Sequence, residues 1–246
     1  MNNVHSAENQ FSRETAYQMA CESAVILKNY GVLSLKGGRR DKIMTLGPNA
    51  DRIPCGGGSG KVDPLFSISL YEGLSSFGKK WPVTLLKPFK GLDYNTSENV
   101  KALKETSTVI VSDGFGTKTE KENHDRTFTL PEGQGEMIRF AASLNPNVIV
   151  VVYAGERFDM AKWKDSVMGI ILGWYPGQEG GLVLARMMAV RPFRTSQDRP
   201  RNSKAIPEMS RTIRATVSIS EAGILPGSTS VPMMSQRMRR EYSWRG

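Results

Sequence analysis

The chain has 246 residues, with Lys+Arg 33 against Asp+Glu 24 and a formal net charge of +9. Hydrophobic residues make up 39% and charged residues 23%, ordinary globular values that exclude a collagen, a disulfide miniprotein and a wholly disordered chain. The charge is uneven: residues 191–246 hold 11 Lys+Arg against 4 Asp+Glu, whereas residues 1–190 hold 22 against 20. In chain order, Ser12 is placed to N-cap a helix over residues 13–30, with Ala16, Met19, Ser23, Leu27 and Tyr30 on one face and Gly31 ending it. A short strand follows at 42–46, then a long loop, 47–64, reading GPNADRIPCGGGSGKVDP. Residues 69–77 read as a helix, 83–86 as a strand, 97–105 as a helix and 108–112 (TVIVS) as an apolar strand. After a polar loop to Thr127, Pro131 is expected at the first position of a helix running to about Leu144, with Glu132 and Glu136 favouring its dipole. Residues 148–152 and 168–172 are further apolar strands, and 178–188 the last convincing helix.

Continuous apolar strands separated by helices imply an α/β fold, a mostly parallel sheet with helices on both faces in flavodoxin-like layers. Functional loops in such sheets follow the carboxyl ends of strands, which directs attention to residues 47–64, 113–127 and 173–181. From about Val190 neither helical nor strand period persists, and Pro, Ser and Arg dominate. Residues 10–190 are therefore read as one domain and 191–246 as a basic, irregular, disordered tail. A nucleic-acid role for that tail is a minor alternative, because it lacks interleaved aromatics. The longest apolar run, 148–154, is far too short for a bilayer crossing, and the first residues, MNNVHSAENQ, show no secretory leader.

CGGGSGK at 55–61 is one residue too short for a nucleotide-binding G-x-x-x-x-G-K, and Val62 replaces the magnesium-holding Ser/Thr. A glycine run of this kind instead lets backbone approach a ligand or a neighbouring segment. TEKENHDR at 119–126 gathers Glu120, Glu122, Asp125, His124 and Arg126, and close carboxylates beside an Arg can split their pKa values as acid/base chemistry requires. Spacing alone favours a solvated charged loop. His124 has no partner at metal spacing, and Cys21 and Cys55 allow at most one disulfide and no zinc site. WYPGQEGG at 174–181 reads as a tight strand-to-helix turn, with Gln178 and Glu179 expected to satisfy open backbone N–H groups at the helix start.

These motifs in this order resemble glycoside hydrolase family 3, the β-glucosidase and β-xylosidase type enzymes, in their second, α/β-sandwich domain. ACESAVILKNYGVLSL (20–35), KIMTLGPNAD (42–51), GGGSGKVDP (56–64), TEKENHDRTFTLPEGQ (119–134), NPNVIVVVYAG (145–155) and WYPGQEGG carry the likeness over residues 10–188. The resemblance implies a retaining mechanism in which an aspartate nucleophile sits on a (β/α)8 barrel domain and the sandwich supplies the acid/base glutamate. It points to Glu122 as that glutamate, three residues before the Asp of the matching "DR", with Glu120 as fallback. Asp125 and Arg126 would fix the loop and tune its charge, and Gly56, Gly57, Gly58 and Ser59 would border the substrate. The implied substrate is a β-linked glucoside or oligosaccharide, with no metal, cofactor, nucleic acid or membrane partner. Family members are often periplasmic or secreted, although this sequence shows no signal peptide.

Two departures stand out. Lys121 replaces the small residue usual between the two glutamates, and the chain reads as an N-terminally truncated fragment without barrel or nucleophile, so that alone it is expected to be inactive. A non-catalytic carbohydrate-binding or interaction module is the alternative. RPFRTS, SISEAGILPGS and MRREYSW in the tail look like family segments read in a shifted frame.

Overall fold

The computed structural model describes residues 7–189 apart from 36, 37, 39 and 40. The tail expected at 191–246, with its shifted-frame motifs, lies outside the described residues.

Helix α1 (Ala7–Ser23) is followed by strands β1 (Val25–Asn29) and β2 (Ile43–Leu46), helix α2 (Leu70–Ser75), β3 (Val83–Leu85), α3 (Ser97–Glu105), β4 (Thr108–Gly114), α4 (Gln134–Leu144), β5 (Val148–Tyr153), β6 (Gly169–Leu172) and α5 (Gly180–Ala189). The strands form one sheet of order β1-β6-β5-β4-β2-β3, parallel except where β1 runs antiparallel along β6. This is the α/β architecture that the apolar runs imply.

Successive side chains of a strand point to opposite faces, and here they fill two cores. Val109, Val111, Val148, Val150 and Val152 pack with Leu103 of α3 and with Met137, Ile138 and Ala141 of α4. Ile110, Ile149, Val151 and Ile171 pack on the other face with Ala20 of α1, Leu70 and Leu74 of α2, and Val183, Leu184, Ala185, Met187 and Met188 of α5. Every residue of β5 is buried, which explains why the strand reads as an unbroken apolar run. On the second face α2 and α5 cross almost backbone to backbone. A Cβ on Gly73 would lie 2.2 Å from the Gly181 carbonyl oxygen, and one on Gly181 would lie 2.1 Å from that of Ser69.

Two elements differ from expectation. The helix anticipated over 13–30 starts earlier, encloses Ser12 and stops at Ser23, where the Ser23 hydroxyl donates to the Ala20 carbonyl. Val25 and Ile26 then extend to pair with Leu172 and Ile171, with a register shift before Lys28. The β-branched residues suit a strand, and the exposed edge of β6 supplies the pairing that helical spacing could not anticipate. Met19 and Tyr30, which helical spacing puts on one face, are 67% and 68% exposed. Similarly, α4 begins at Gln134 rather than at Pro131, because Gly133 is left-handed (φ 80) and cannot lie inside the helix.

Winding proceeds from β2 outward to β3, then returns to β4 on the other side of β2. Loops leaving the carboxyl ends of β2 and β4 therefore diverge at a topological switch point, where open α/β sheets place their ligands.

Candidate functional site

The segment after β4 begins on a fixed floor. Gln134 is buried, and its side-chain amide both accepts from the Gly114 N–H at 3.0 Å and donates to the Gly114 carbonyl at 3.0 Å. Beside it Asp113 is buried, with Oδ1 accepting from the Gly114 N–H at 3.2 Å and Oδ2 without a hydrogen-bond partner among the described residues. Burial drives the Asp113 carboxyl well above the ordinary carboxylate range.

Glu120 forms the root of the loop. Its carboxylate accepts from the Gly155 N–H, 3.1 Å from each oxygen, and from the Tyr175 hydroxyl at 2.5 Å. Arg126 Nε lies 3.3 Å from Glu120 Oε1, although its N–H is not aimed to donate, so the attraction is one of charge. The guanidinium stacks 4.1 Å over the Phe115 ring and donates to the carbonyls of Thr127 and Arg157. Glu120 thereby ties its own loop to the ends of β5 and β6. Burial, reinforced by the adjoining Glu120 carboxylate, holds the Tyr175 phenol far above its usual range, protonated and donating.

Residues 121–124 form the tip. Lys121 and His124 pair across a tight turn, with Asn123 left-handed (φ 55); Asn tolerates that conformation better than most residues. The turn presents Glu122 to solvent. Its carboxylate accepts from the hydroxyl and, at 3.2 Å, from the backbone N–H of Ser59. These two donors, the hydroxyl foremost, hold its pKa below the ordinary glutamate range. Asp125 is exposed and makes no hydrogen bond or ion pair among the described residues, so the adjacent Asp125 and Arg126 part company, one outward and one inward.

The glycine run lies against both root and tip. The Gly57 N–H donates to the Glu120 carbonyl at 2.8 Å, and a Cβ on Gly57 would fall 2.6 Å from the Thr117 carbonyl oxygen. Gly56 faces the Tyr175 ring, and a Cβ on Gly58 (φ +71) would sit 3.1 Å from Glu122 Oε2. Glycines are required here because two loops meet at backbone distance.

The structure therefore brings Gly56, Gly57, Gly58, Ser59, Glu120, Glu122 and Arg126 together, with Asp125 on the same loop facing water. Sequence reasoning missed Gly155, Tyr175 and Phe115 as parts of this cluster; their signal is that all three lie just past the carboxyl ends of strands. One expectation is corrected. The Glu179 side chain does not serve the start of α5; it is buried and pairs with Arg13 Nε at 2.9 Å. The open N–H groups go to backbone carbonyls instead, Gly180 to Gly177 and Gly181 to Ile68. Both cysteines are free. Among the described residues no His, Cys, Asp and Glu side chains gather as a metal site, and no helix is long and apolar enough to cross a membrane.

Comparison with known proteins adds the following. The family model described as the glycosyl hydrolase family 3 C-terminal domain matches residues 24–192. An exo-α-(1→6)-L-arabinopyranosidase of Bifidobacterium longum is 33% identical over 189 residues, covering 70% of this chain and 24% of the relative. A β-glucosidase of Bacteroides ovatus is 28% identical, covering 71% of this chain and 26% of its own length. The crystal structure of a family 3 β-glucosidase from Bifidobacterium adolescentis superimposes with a TM-score of 0.64 at 29% identity, over 77% of this chain and 28% of that one. The chain thus spans about a quarter of the length of these relatives.

Proposed function

The chain belongs to the glycosyl hydrolase family 3 C-terminal domain family, and from that premise we propose that it supplies the general acid/base, Glu122, to a retaining β-glycosidase whose aspartate nucleophile stands on a barrel domain across the cleft. The observation that carries this reading is the contrast within one loop. Glu120 is consumed by Gly155, Tyr175 and Arg126, while Glu122 stands exposed at the tip and, among the described residues, hydrogen-bonds through its carboxylate only with Ser59. A proton donor must reach a substrate oxygen, and of the two glutamates only Glu122 is free to do so.

In a retaining site the two carboxyls stand about 5–5.5 Å apart. The barrel aspartate attacks the anomeric carbon while protonated Glu122 delivers its proton to the departing oxygen. As a carboxylate, Glu122 then takes a proton from the water that releases the sugar. Closing the cleft over substrate strips water from Glu122 and raises its pKa, so that it carries the proton when needed. Asp125, Gly56, Gly57, Gly58 and Ser59 border the leaving-group side, and Arg126 holds the loop. The named activities of the relatives, an exo-arabinopyranosidase and a β-glucosidase, suit a terminal β-glucoside or similar pyranoside as substrate.

Assayed alone on an aryl β-glucoside, the 246-residue chain shows negligible turnover, because the covalent route needs both carboxyls; turnover abolished by Glu122→Gln in the lone chain overturns the reading. Joined to a family barrel domain it turns over, and Glu122→Gln lowers the rate by about 10²–10⁴ on poor leaving groups and much less on dinitrophenyl glycosides. The same leaving-group dependence in Glu120→Gln, with Glu122→Gln active, transfers the role to the fallback residue.

A further inference from the structure

We propose that Ser59 is a positioning residue that latches the Glu122 side chain against the glycine-rich loop, so that the carboxylate is held between catalytic events and must leave Ser59 to act as proton donor. The inference rests on the acid/base reading of Glu122 and extends it to how that group is controlled.

Three observations converge on one atom pair. Ser59 offers its hydroxyl and its backbone N–H to the same carboxylate. Gly58, with φ +71, has no Cβ, and one placed there would come within 3.1 Å of Glu122 Oε2 and 3.3 Å of the Glu122 backbone nitrogen, so a side chain at this position would be strained and would crowd the Glu122 carboxyl where the two loops meet. The glycine loop is also registered on the acid/base loop by the Gly57 N–H to Glu120 carbonyl bond, which sets Ser59 opposite the tip whatever the side chain of Glu122 does.

The chemistry of the donors gives the latch a direction. An N–H can only donate, so it favours the ionised carboxyl; the serine hydroxyl donates to the carboxylate as well. Both bonds weaken when Glu122 takes up a proton. The latched form is thus the base form, suited to drawing a proton from water, and the acid form is the released one. Nothing else among the described residues bonds the carboxyl, so release needs the rupture of a single partner.

The test uses the full chain and no substrate. The Ser59 amide proton is followed by NMR across the acid range, together with the side-chain carboxyl carbons. The expected result is a downfield Ser59 amide that titrates with the Glu122 carboxyl, a titration abolished by Glu122→Gln. The Glu122 midpoint moves upward in Ser59→Ala and returns to the wild-type position in Ser59→Thr, which restores the hydroxyl. A Ser59 amide indifferent to pH in the wild-type chain overturns the latch without any variant having to fold. An unchanged Glu122 midpoint in Ser59→Ala overturns the part assigned to the hydroxyl. Because the readout is independent of turnover, a latch present in a chain whose Glu122→Gln form stays active beside a barrel refutes the acid/base assignment alone, and the converse pair refutes the latch alone.

Discussion

Glu120 and Glu122 are two residues apart in one loop, yet they belong to different physical worlds. Glu120, its side chain 14% exposed, is gripped by a backbone N–H, a phenol and a guanidinium drawn from three segments. Glu122 is open to water and touches one serine. Asp113, on the floor of the same loop, completes a gradient: wholly buried, with one oxygen unpartnered. Burial with partners makes a carboxylate structural, exposure leaves it free for chemistry, and burial without partners makes it a liability.

Perturbing each level separates these roles. Glu120→Ala is expected to have the largest effect, a loss of about 2–4 kcal/mol in urea denaturation, since it strands the Arg126 charge and the Tyr175 and Gly155 donors. Glu122→Ala in the same experiment leaves the midpoint where it was; equal losses would erase the distinction between root and tip.

Asp113→Asn comes next. The folded state holds the Asp113 proton to higher pH than the unfolded chain does. Its contribution is therefore fully present below the unfolded pKa and is lost as pH rises through the folded one. Asp113→Asn removes that decline, so its stability relative to wild type climbs with pH across the window, as denaturation at a series of pH values would show. A pH-independent difference would mean the carboxyl is not buried as described. A smaller loss than that of Glu120→Ala belongs to Tyr175→Phe, about 1.5 kcal/mol for one hydrogen bond to a charged acceptor whose other partners remain, together with faster amide exchange at Gly155 than in wild type.

How much of this was legible beforehand depended on how far apart the interacting residues lie in the chain. The apolar runs TVIVS, VIVVV and MGIIL announced β4, β5 and β6 because burial on both faces leaves no polar positions to blur the signal. Strand ends then directed attention to the candidate loops. The run from Val25 was read as helix because Ser23, Leu27 and Tyr30 happen to fit that period, while the partner that makes it a strand, Leu172, lies at the other end of the domain. Pro131 suggested a helix start that Gly133 postpones. Within the site, the acidic cluster was visible as composition. Which glutamate is tethered was not, since Gly155 and Tyr175 are 35 and 55 residues from Glu120. Nor was the pairing of Ser59 with Glu122, 63 residues apart.

The crossing at Gly73 and Gly181 reaches further than its place in the scaffold suggests. Gly181 ends the very turn that carries Tyr175, and the Gly181 N–H is stitched to the Ile68 carbonyl, at the far end of the stretch that contains the glycine run. A single methyl group at either crossing point must prise two helices apart and drag that turn with them. Inherited variation at these inconspicuous positions would thus register as a misplaced phenol beside Glu120, an injury felt in the acidic loop from the crossing of two helices.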